Sequence, residues 1–481
     1  MDRNEQPAVT QLGAALSDAL APVLGGAVRI DGLRLLSGGA SRETWSFDAL
    51  VGDGEDDRGD VAHELVLQRT RGSTSTGMGG PSMAVEDDLL RAAAERGVPV
   101  PRLVLASSDA DERLSGDGGS ARVCERVAGE TLGARVVRDE RYAGARRVLP
   151  RQCGEALAAI HAIPPESVPG LRPWEPLSRL RTGLDLLGEA RPAFELALRW
   201  LAEHRPAPRP PSVVHGDFRV GNLVVVPDGL RSVLDWELAH LGDPVEDLGW
   251  LCVRSWRFGG DGVVGGVGDL PDLLQGYRDA GGAAVDEREV TWWIVSGTLT
   301  WGLICAVQAR RHLEGHVRSV ELATVGRRIC ETEYDLLQLL GVPPEERGAC
   351  VEPVPVSGRE LLHGRPTATE LVEAVRDHLV ERVAPELEGS AAFHLKVAAN
   401  ALGIVARELR DAPGMEADLA RRLDALGVPD ETALATAVRE GRVDDRPEVA
   451  EAVRGIVVDR LRVANPRWLQ GDDRGTAQEP G

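Results

Sequence analysis

At 481 residues, with 43% apolar and 27% charged side chains, the chain is long enough for two or three folding units and has the make-up of a soluble globular protein. A formal net charge of −21 argues against nucleic acid as a partner, because a phosphate backbone demands a concentrated basic face. It leaves room for a local basic pocket. Six scattered cysteines (Cys124, Cys153, Cys252, Cys305, Cys330, Cys350) form no C-x-x-C pair, which points to reduced thiols. The opening residues lack the apolar stretch of a signal peptide, and no window approaches the roughly 18 to 20 uninterrupted apolar residues of a membrane span. A cytoplasmic protein with no membrane partner is expected.

An amphipathic helix occupies the first 24 residues. Alternation then predicts strands over 28–36, 43–50 and 63–69, joined by the turn Ser37-Gly38-Gly39-Ala40-Ser41 and by an acidic, Gly-rich loop at 51–60. A helix from about Ala84 to Glu95, closed by Gly97, precedes strands over 102–106 and 121–127. This order predicts a small antiparallel sheet with one helix against it. Helices follow over 142–162, 178–188 and 192–204. Short strands are expected at 212–214, 223–226 and 231–235, and further helices near Asp247 and over 270–279, 287–312 and 317–340. Residues 342–366 read as a linker, 367–469 as four or five helices, and 470–481 as a disordered polar tail.

Chemistry concentrates in one stretch. Val213-Val214-His215-Gly216-Asp217 is an apolar strand ending in a turn. Asn222 lies five positions after Asp217, and Asp235, within Val233-Leu234-Asp235-Trp236-Glu237 at the end of another short strand, lies eighteen after it. Phosphoryl transfer needs such a set. One carboxylate orients and deprotonates the attacking hydroxyl, and an amide oxygen with a second carboxylate can hold Mg²⁺ across the phosphates. These groups belong on loops fixed by strands, because the chemistry is mostly positioning and electrostatics.

The His-x-Asp-x-x-x-x-Asn pattern is that of the protein-kinase catalytic loop. The run from His215 to Asn222, with Asp235, Gly242-Asp243-Pro244 and Asp247-Leu248, resembles the aminoglycoside phosphotransferase and choline kinase family over about residues 25–340. Within it, the match is nearest the subgroup found with acyl-CoA dehydrogenases. The resemblance implies an α+β, protein-kinase-like bilobal fold, with a small antiparallel N-lobe (1–127) and a mainly helical C-lobe (128–341), followed by an all-α bundle. It implies an ATP- and Mg²⁺-dependent transferase acting on a small-molecule hydroxyl. In that scheme Asp217 is the catalytic base, His215 braces its loop and Arg219 touches the transferring phosphoryl group. Asn222 and Asp235 bind the metal, while Glu237, Asp243 and Asp247 support the loop or cap the next helix.

For the nucleotide, the resemblance assigns the turn Ser37–Ser41 to the phosphates, and the Glu125 carbonyl and Val127 N–H to adenine. Two departures stand out. The family's basic residue on the third strand is replaced by Gln68, with Arg69 beside it. Asp88 stands where the following helix usually has Glu, and Glu86 lies half a turn earlier. Three explanations stay open: Arg69 or Arg71 reaches in, the phosphates are held without an ion pair, or the protein is a weakly active nucleotide-binding regulator. Arg69 would need a one-residue bulge to face inward. A metal-dependent hydrolase using His215, Asp217 and Asp235 is a third functional class, with few ligands to support it. The C-terminal helices, including Phe393 to Leu402, resemble a small domain without assigned function that accompanies such phosphotransferases. They suggest docking on the kinase-like part or homo-oligomer formation.

Overall fold

A computed structural model describes residues 6–36, 42–52, 61–70, 79–115, 118–343, 365–443 and 447–470. The expected phosphate turn Ser37–Ser41, Arg71, most of the 342–366 linker and the tail from 471 lie outside the described residues.

Five strands, β1 (Ala27–Leu36), β2 (Glu43–Gly52), β3 (Val61–Arg69), β4 (Leu103–Leu105) and β5 (Ala121–Glu125), make an antiparallel sheet in the order β1-β2-β3-β5-β4. Strand periodicity sorts their side chains onto two faces. Phe47 and Ala49 of β2, Leu65 and Leu67 of β3, and Ala121 and Val123 of β5 join Leu16 and Leu20 of α1 (Gln6–Leu24) in one apolar core. The alternate residues, among them Ser46, Val66, Gln68, Arg122 and Cys124, therefore belong to the opposite face. Pairing of β2 with β3 runs unbroken from Glu43↔Arg69 to Val51↔Val61, so no bulge changes this parity. Helix α2 (Met83–Glu95) follows β3, N-capped by Ser82, whose Oγ accepts the Val85 N–H at 3.4 Å. A short helix, α3 (Glu112–Ser115), lies between β4 and β5 and adds Leu114 to the core.

The chain then becomes mainly helical, through α4 (Gly133–Arg138), α5 (Ala143–His161), α6 (Pro176–Leu187) and α7 (Pro192–Glu203). Four short strands follow. β6 (Ser212–Val214) pairs with β9 (His240–Gly242), which the sequence did not suggest, and β7 (Leu223–Val226) pairs with β8 (Gly229–Val233). Next come α8 (Val245–Cys252), α9 (Leu270–Asp279), α10 (Glu287–Leu313), α11 (Val320–Val325) and α12 (Ile329–Leu339). The C-terminal helices are α13 (Ala368–His378), α14 (Gly389–Leu426), α15 (Glu431–Arg439) and α16 (Pro447–Ala464). The α+β class expected from the sequence is what the chain adopts: a small antiparallel sheet, a mainly helical continuation and an all-α end.

Compactness groups these elements differently from the segment boundaries read in the sequence. One unit comprises residues 1–174 and 207–294, and the other 175–206 and 295–481. In the second unit, Cys330, Tyr334 and Leu337 of α12 share a core with Leu434 of α15 and with Val453 and Leu461 of α16. The buried carboxylate of Glu195 on α7 is held by Arg181 at 2.9 Å and by Arg439 of α15 at 2.6 Å. By length and composition alone, α10 and α14 could cross a bilayer; the apolar stretch of α10 is 67% buried in the fold, that of α14 22%.

Ending the chain after Gly341 would uncover Tyr334 and Leu337 and remove Arg439 from Glu195. Each lost large core contact costs on the order of 2–5 kcal/mol. The truncated protein is expected to aggregate or melt well below the full chain in size-exclusion and thermal-unfolding measurements. A monodisperse product with an unchanged midpoint would contradict this packing.

Candidate active site

Strand β6 ends in His215-Gly216-Asp217, a turn pinned from beneath by Asp247 of α8. The Asp247 carboxylate accepts the His215 N–H at 2.8 Å, the Gly216 N–H at 2.9 Å and His161 Nε2 at 3.1 Å. Tyr277 completes the chain through its hydroxyl, 2.9 Å from His161 Nδ1. Complete burial alone would raise the Asp247 pKa, but these hydrogen bonds and the neighbouring histidines hold it below the usual carboxylate value. Gly216 has φ +79°, and a Cβ there would stand 2.4 Å from the Leu238 carbonyl oxygen, so the middle residue of the turn must be glycine. The Asp243 carboxylate, just before α8, accepts the N–H of its first residue, Val245, at 2.9 Å.

His215 carries the constraint onward. Its Nδ1 accepts the Asp217 N–H at 3.2 Å, so Nε2 bears the proton and donates to the Leu234 carbonyl at 3.1 Å. Burial lowers its pKa, which keeps the ring neutral. The Leu234 N–H in turn donates to the Asn222 carbonyl at 2.8 Å. Leu234 is thus held on both sides, and the next residue, Asp235, takes φ +65°, one of two non-glycine residues with positive φ among those described. Such a backbone persists only where its surroundings over-determine it. These bonds bring Asp217, Asn222 and Asp235 to one place although eighteen positions separate the two acids.

The Asp217 carboxylate receives three donors: Asn222 Nδ2 at 2.6 Å, Trp250 Nε1 at 2.9 Å and Arg219 Nε at 3.0 Å. Arg219 therefore clasps Asp217 directly and lies over the Trp256 ring, 5.1 Å from its centre. Asn222 Nδ2 also bonds the Asp217 carbonyl at 3.0 Å, which leaves its amide oxygen for another partner. Burial, followed by the charges of Glu237 and Asp217, pushes Asp235 up to about 7, with Arg42 partly opposing. A carboxylate so destabilised is one that a cation would relieve. Among the described residues no three His, Cys, Asp or Glu side chains gather as a closed cage. Asn222 and Asp235 together offer a partial set of hard oxygens. That fits Mg²⁺, which takes few protein ligands and fills its octahedron with water and phosphate oxygens.

The sheet face opposite the apolar core supplies the remaining charge, and here the sequence expectations need correcting. Asp88 is half exposed and pairs with Arg91 at 2.9 Å, so it does not serve as the buried acid of α2. Glu86 does: it is fully buried, bonded by both terminal nitrogens of Arg42 (NH1 at 2.6 Å) and lies 3.0 Å from Arg122 NH1. Gln68 is directly opposite Arg122 and accepts its Nε at 2.8 Å. Arg69, one residue on, sits on the other face, paired with Glu43 at 2.7 Å and lying 5.5 Å from the Trp45 ring centre. Strand parity thus turns Arg69 away from the face that carries Gln68 and Arg122. Glu125 ends β5 with its side chain on Arg102 at 2.6 Å, and Val127 lies two residues beyond. Glu130 then pairs with Val225 through backbone bonds of 2.9 Å in both directions, tying this crossover to β7.

Sequence reasoning missed Arg42, Arg122, Trp250, His161 and Tyr277. A lone charge inside the otherwise apolar Ala121-Arg122-Val123-Cys124 was the available sign for Arg122. Nothing local marked Trp250 or His161.

A small antiparallel sheet joined to a helical segment whose loop presents Asp217, Asn222 and Asp235 defines the kinase-type phosphotransferases. A family model agrees: residues 33–293 match the phosphotransferase enzyme family (APH), and the chain belongs to that family. Residues 385–468 match a domain of unknown function (DUF6285). The chain is 44% identical over 93 residues to acyl-CoA dehydrogenase family member 10 of Mus musculus, covering 18% of this chain and 8% of that protein. It is 28% identical over 157 residues to homoserine kinase of Rhizobium meliloti (strain 1021), covering 31% and 47%. The chain thus spans less than half the length of either relative. A solved choline/ethanolamine kinase family protein from Mesorhizobium loti is 19% identical, with a TM-score of 0.45 over 69% of this chain and 96% of that one.

Replacing Asp247 with Asn removes the charge and one of the acceptors beneath the turn. Breaking a buried charge-assisted set of this kind costs roughly 3–5 kcal/mol. Asp247→Asn is expected to lower the thermal midpoint and to reduce turnover together. Full activity at an unchanged midpoint would show that the turn holds without it.

Proposed function

We propose that the protein transfers the γ-phosphoryl group of ATP to a hydroxyl of a small molecule. The carrying observation is the convergence of Asp217, Asn222 and Asp235 through the His215–Leu234–Asn222 bonds. In this reading the Asp217 carboxylate orients the acceptor hydroxyl and takes its proton as the oxygen attacks phosphorus. Asn222 and Trp250 hold that carboxylate in one rotamer. Arg219 stands beside it with a delocalised cation, next to where negative charge gathers on the transferred group. Asn222 and Asp235 would hold Mg²⁺, which when bound neutralises phosphate charge.

The alternative, a non-catalytic or weakly active nucleotide-binding regulator, is motivated by Gln68 and Asp88. Glu86, rather than Asp88, is the buried acid of α2, and its pairing with Arg42 and Arg122 favours a site that keeps its ion pair. The relative named for a kinase of homoserine, itself a hydroxy amino acid, fits a small hydroxylated acceptor. Cytoplasmic location follows only as an extension of this role.

Phosphoryl transfer from ATP to a panel of hydroxylated metabolites tests the reading. Asp217→Asn keeps the hydrogen-bonding shape and removes the base, and is expected to lower turnover about 10²- to 10⁴-fold. ATP affinity should stay within a few-fold of the parent protein. Unchanged turnover in Asp217→Asn would remove Asp217 from the reaction.

A further inference from the structure

The sheet face of the site holds two arginines around one fully buried carboxylate, and they are not equivalent. Arg122 is committed. Its Nε donates to Gln68, and NH1 lies 3.0 Å from Glu86 and 3.5 Å from Asp87, with only 4% of its side chain exposed. Arg42 also bonds Glu86 through its two terminal nitrogens, but its buried Nε has no hydrogen-bond partner among the described residues. That nitrogen stands 3.8 Å from Glu237, and the charge of Asp235 also acts on Arg42. Arg42 therefore lies between the buried acid of α2 on one side and Glu237 and Asp235, the latter assigned to the metal, on the other. In sequence it directly follows the glycine-rich residues 37–41.

We propose that Arg42 receives the phosphates of the nucleotide, a task for which Gln68 has no charge. The proposal rests on the ATP reading above. A buried carboxylate stripped of its partner is costly, so a phosphate-binding cation can leave Glu86 only if another remains. Arg122 is that other cation, fixed to Glu86 by the β3–β5 pairing of Gln68 with Arg122. Arg42 is then free to turn its planar fork from one anion to the next. Guanidinium suits both, since carboxylate and phosphate present similar pairs of acceptor oxygens. The ion pair that a third-strand cation would make with α2 is thus divided between two side chains. Arg122 keeps the acid partnered and Arg42 meets the ligand.

Calorimetric titration with ATP and with adenosine, each with Mg²⁺, separates a phosphate contact from a structural one. Charge-assisted hydrogen bonds of this kind predict that Arg42→Gln weakens ATP about 10- to 100-fold and leaves adenosine within about twofold. Gln68→Lys added to Arg42→Gln should regain at least about tenfold for ATP, because it restores a cation on the same face. Should Arg42→Gln fail to fold, Arg42→Lys keeps the charge without the fork and is expected to weaken ATP alone, by about fivefold. Equal losses for ATP and adenosine, or ATP binding as tight as the parent in Arg42→Gln and Arg42→Lys, would overturn the role of Arg42 and leave the ATP reading standing. Absence of ATP binding by the parent protein would overturn both.

Discussion

The geometry of the site depends on one buried carboxylate. Asp247 accepts two consecutive backbone N–H groups of the His215–Asp217 turn and the imidazole of His161. An unpaired charge at that depth would be prohibitive, so these bonds are obligatory rather than optional. Their effect extends along the chain. The fixed turn places His215, His215 holds the Leu234 carbonyl, and the Leu234 N–H closes on Asn222. Three polar groups that could each occupy many positions on loops are reduced to one arrangement. That is the preorganisation phosphoryl transfer requires, since a protein contributes position and charge more than covalent chemistry.

The second organising element is charge balance. The protein carries a net charge of −21, yet its site is studded with arginines. Arg42 and Arg122 face Glu86, and Arg219 faces Asp217. Asp235 is left as the group with the least compensation, which is why burial and like charge push it up to about 7. An acidic protein can present a locally basic phosphate site because low-dielectric surroundings let nearby charges dominate distant ones.

What was legible in the sequence follows from how local each signal is. The His215-to-Asn222 loop was readable because its groups are close in sequence, and Asp235 because a short hairpin links it to that loop. The antiparallel sheet was readable from alternation and short connections, whereas the placing of β5 between β3 and β4 was not. The exclusion of Arg69 was foreseeable from strand parity, and the unbroken β2–β3 register bears it out. Assigning Asp88 failed because the helix phase of α2 had to be guessed from an uncertain starting point. A shift of two residues rotates a side chain by about 200° around a helix axis, from the buried face to solvent. Arg122 on β5 and Arg42 just before β2 reach Glu86 from 36 and 44 residues away, and only the tertiary fold reveals them. The shared core of α12, α15 and α16 was hidden for the same reason, since apolar faces do not announce their partners.

The convergence of Asp217, Asn222 and Asp235 as a metal-dependent nucleotide site is tested most directly by ATP-binding calorimetry, with and without Mg²⁺, on the parent protein and on Asp235→Ala. Binding that is strong only with Mg²⁺ in the parent, and insensitive to Mg²⁺ in Asp235→Ala, is the predicted result. Equal ATP affinity in all four measurements, or no ATP binding by the parent, would contradict it.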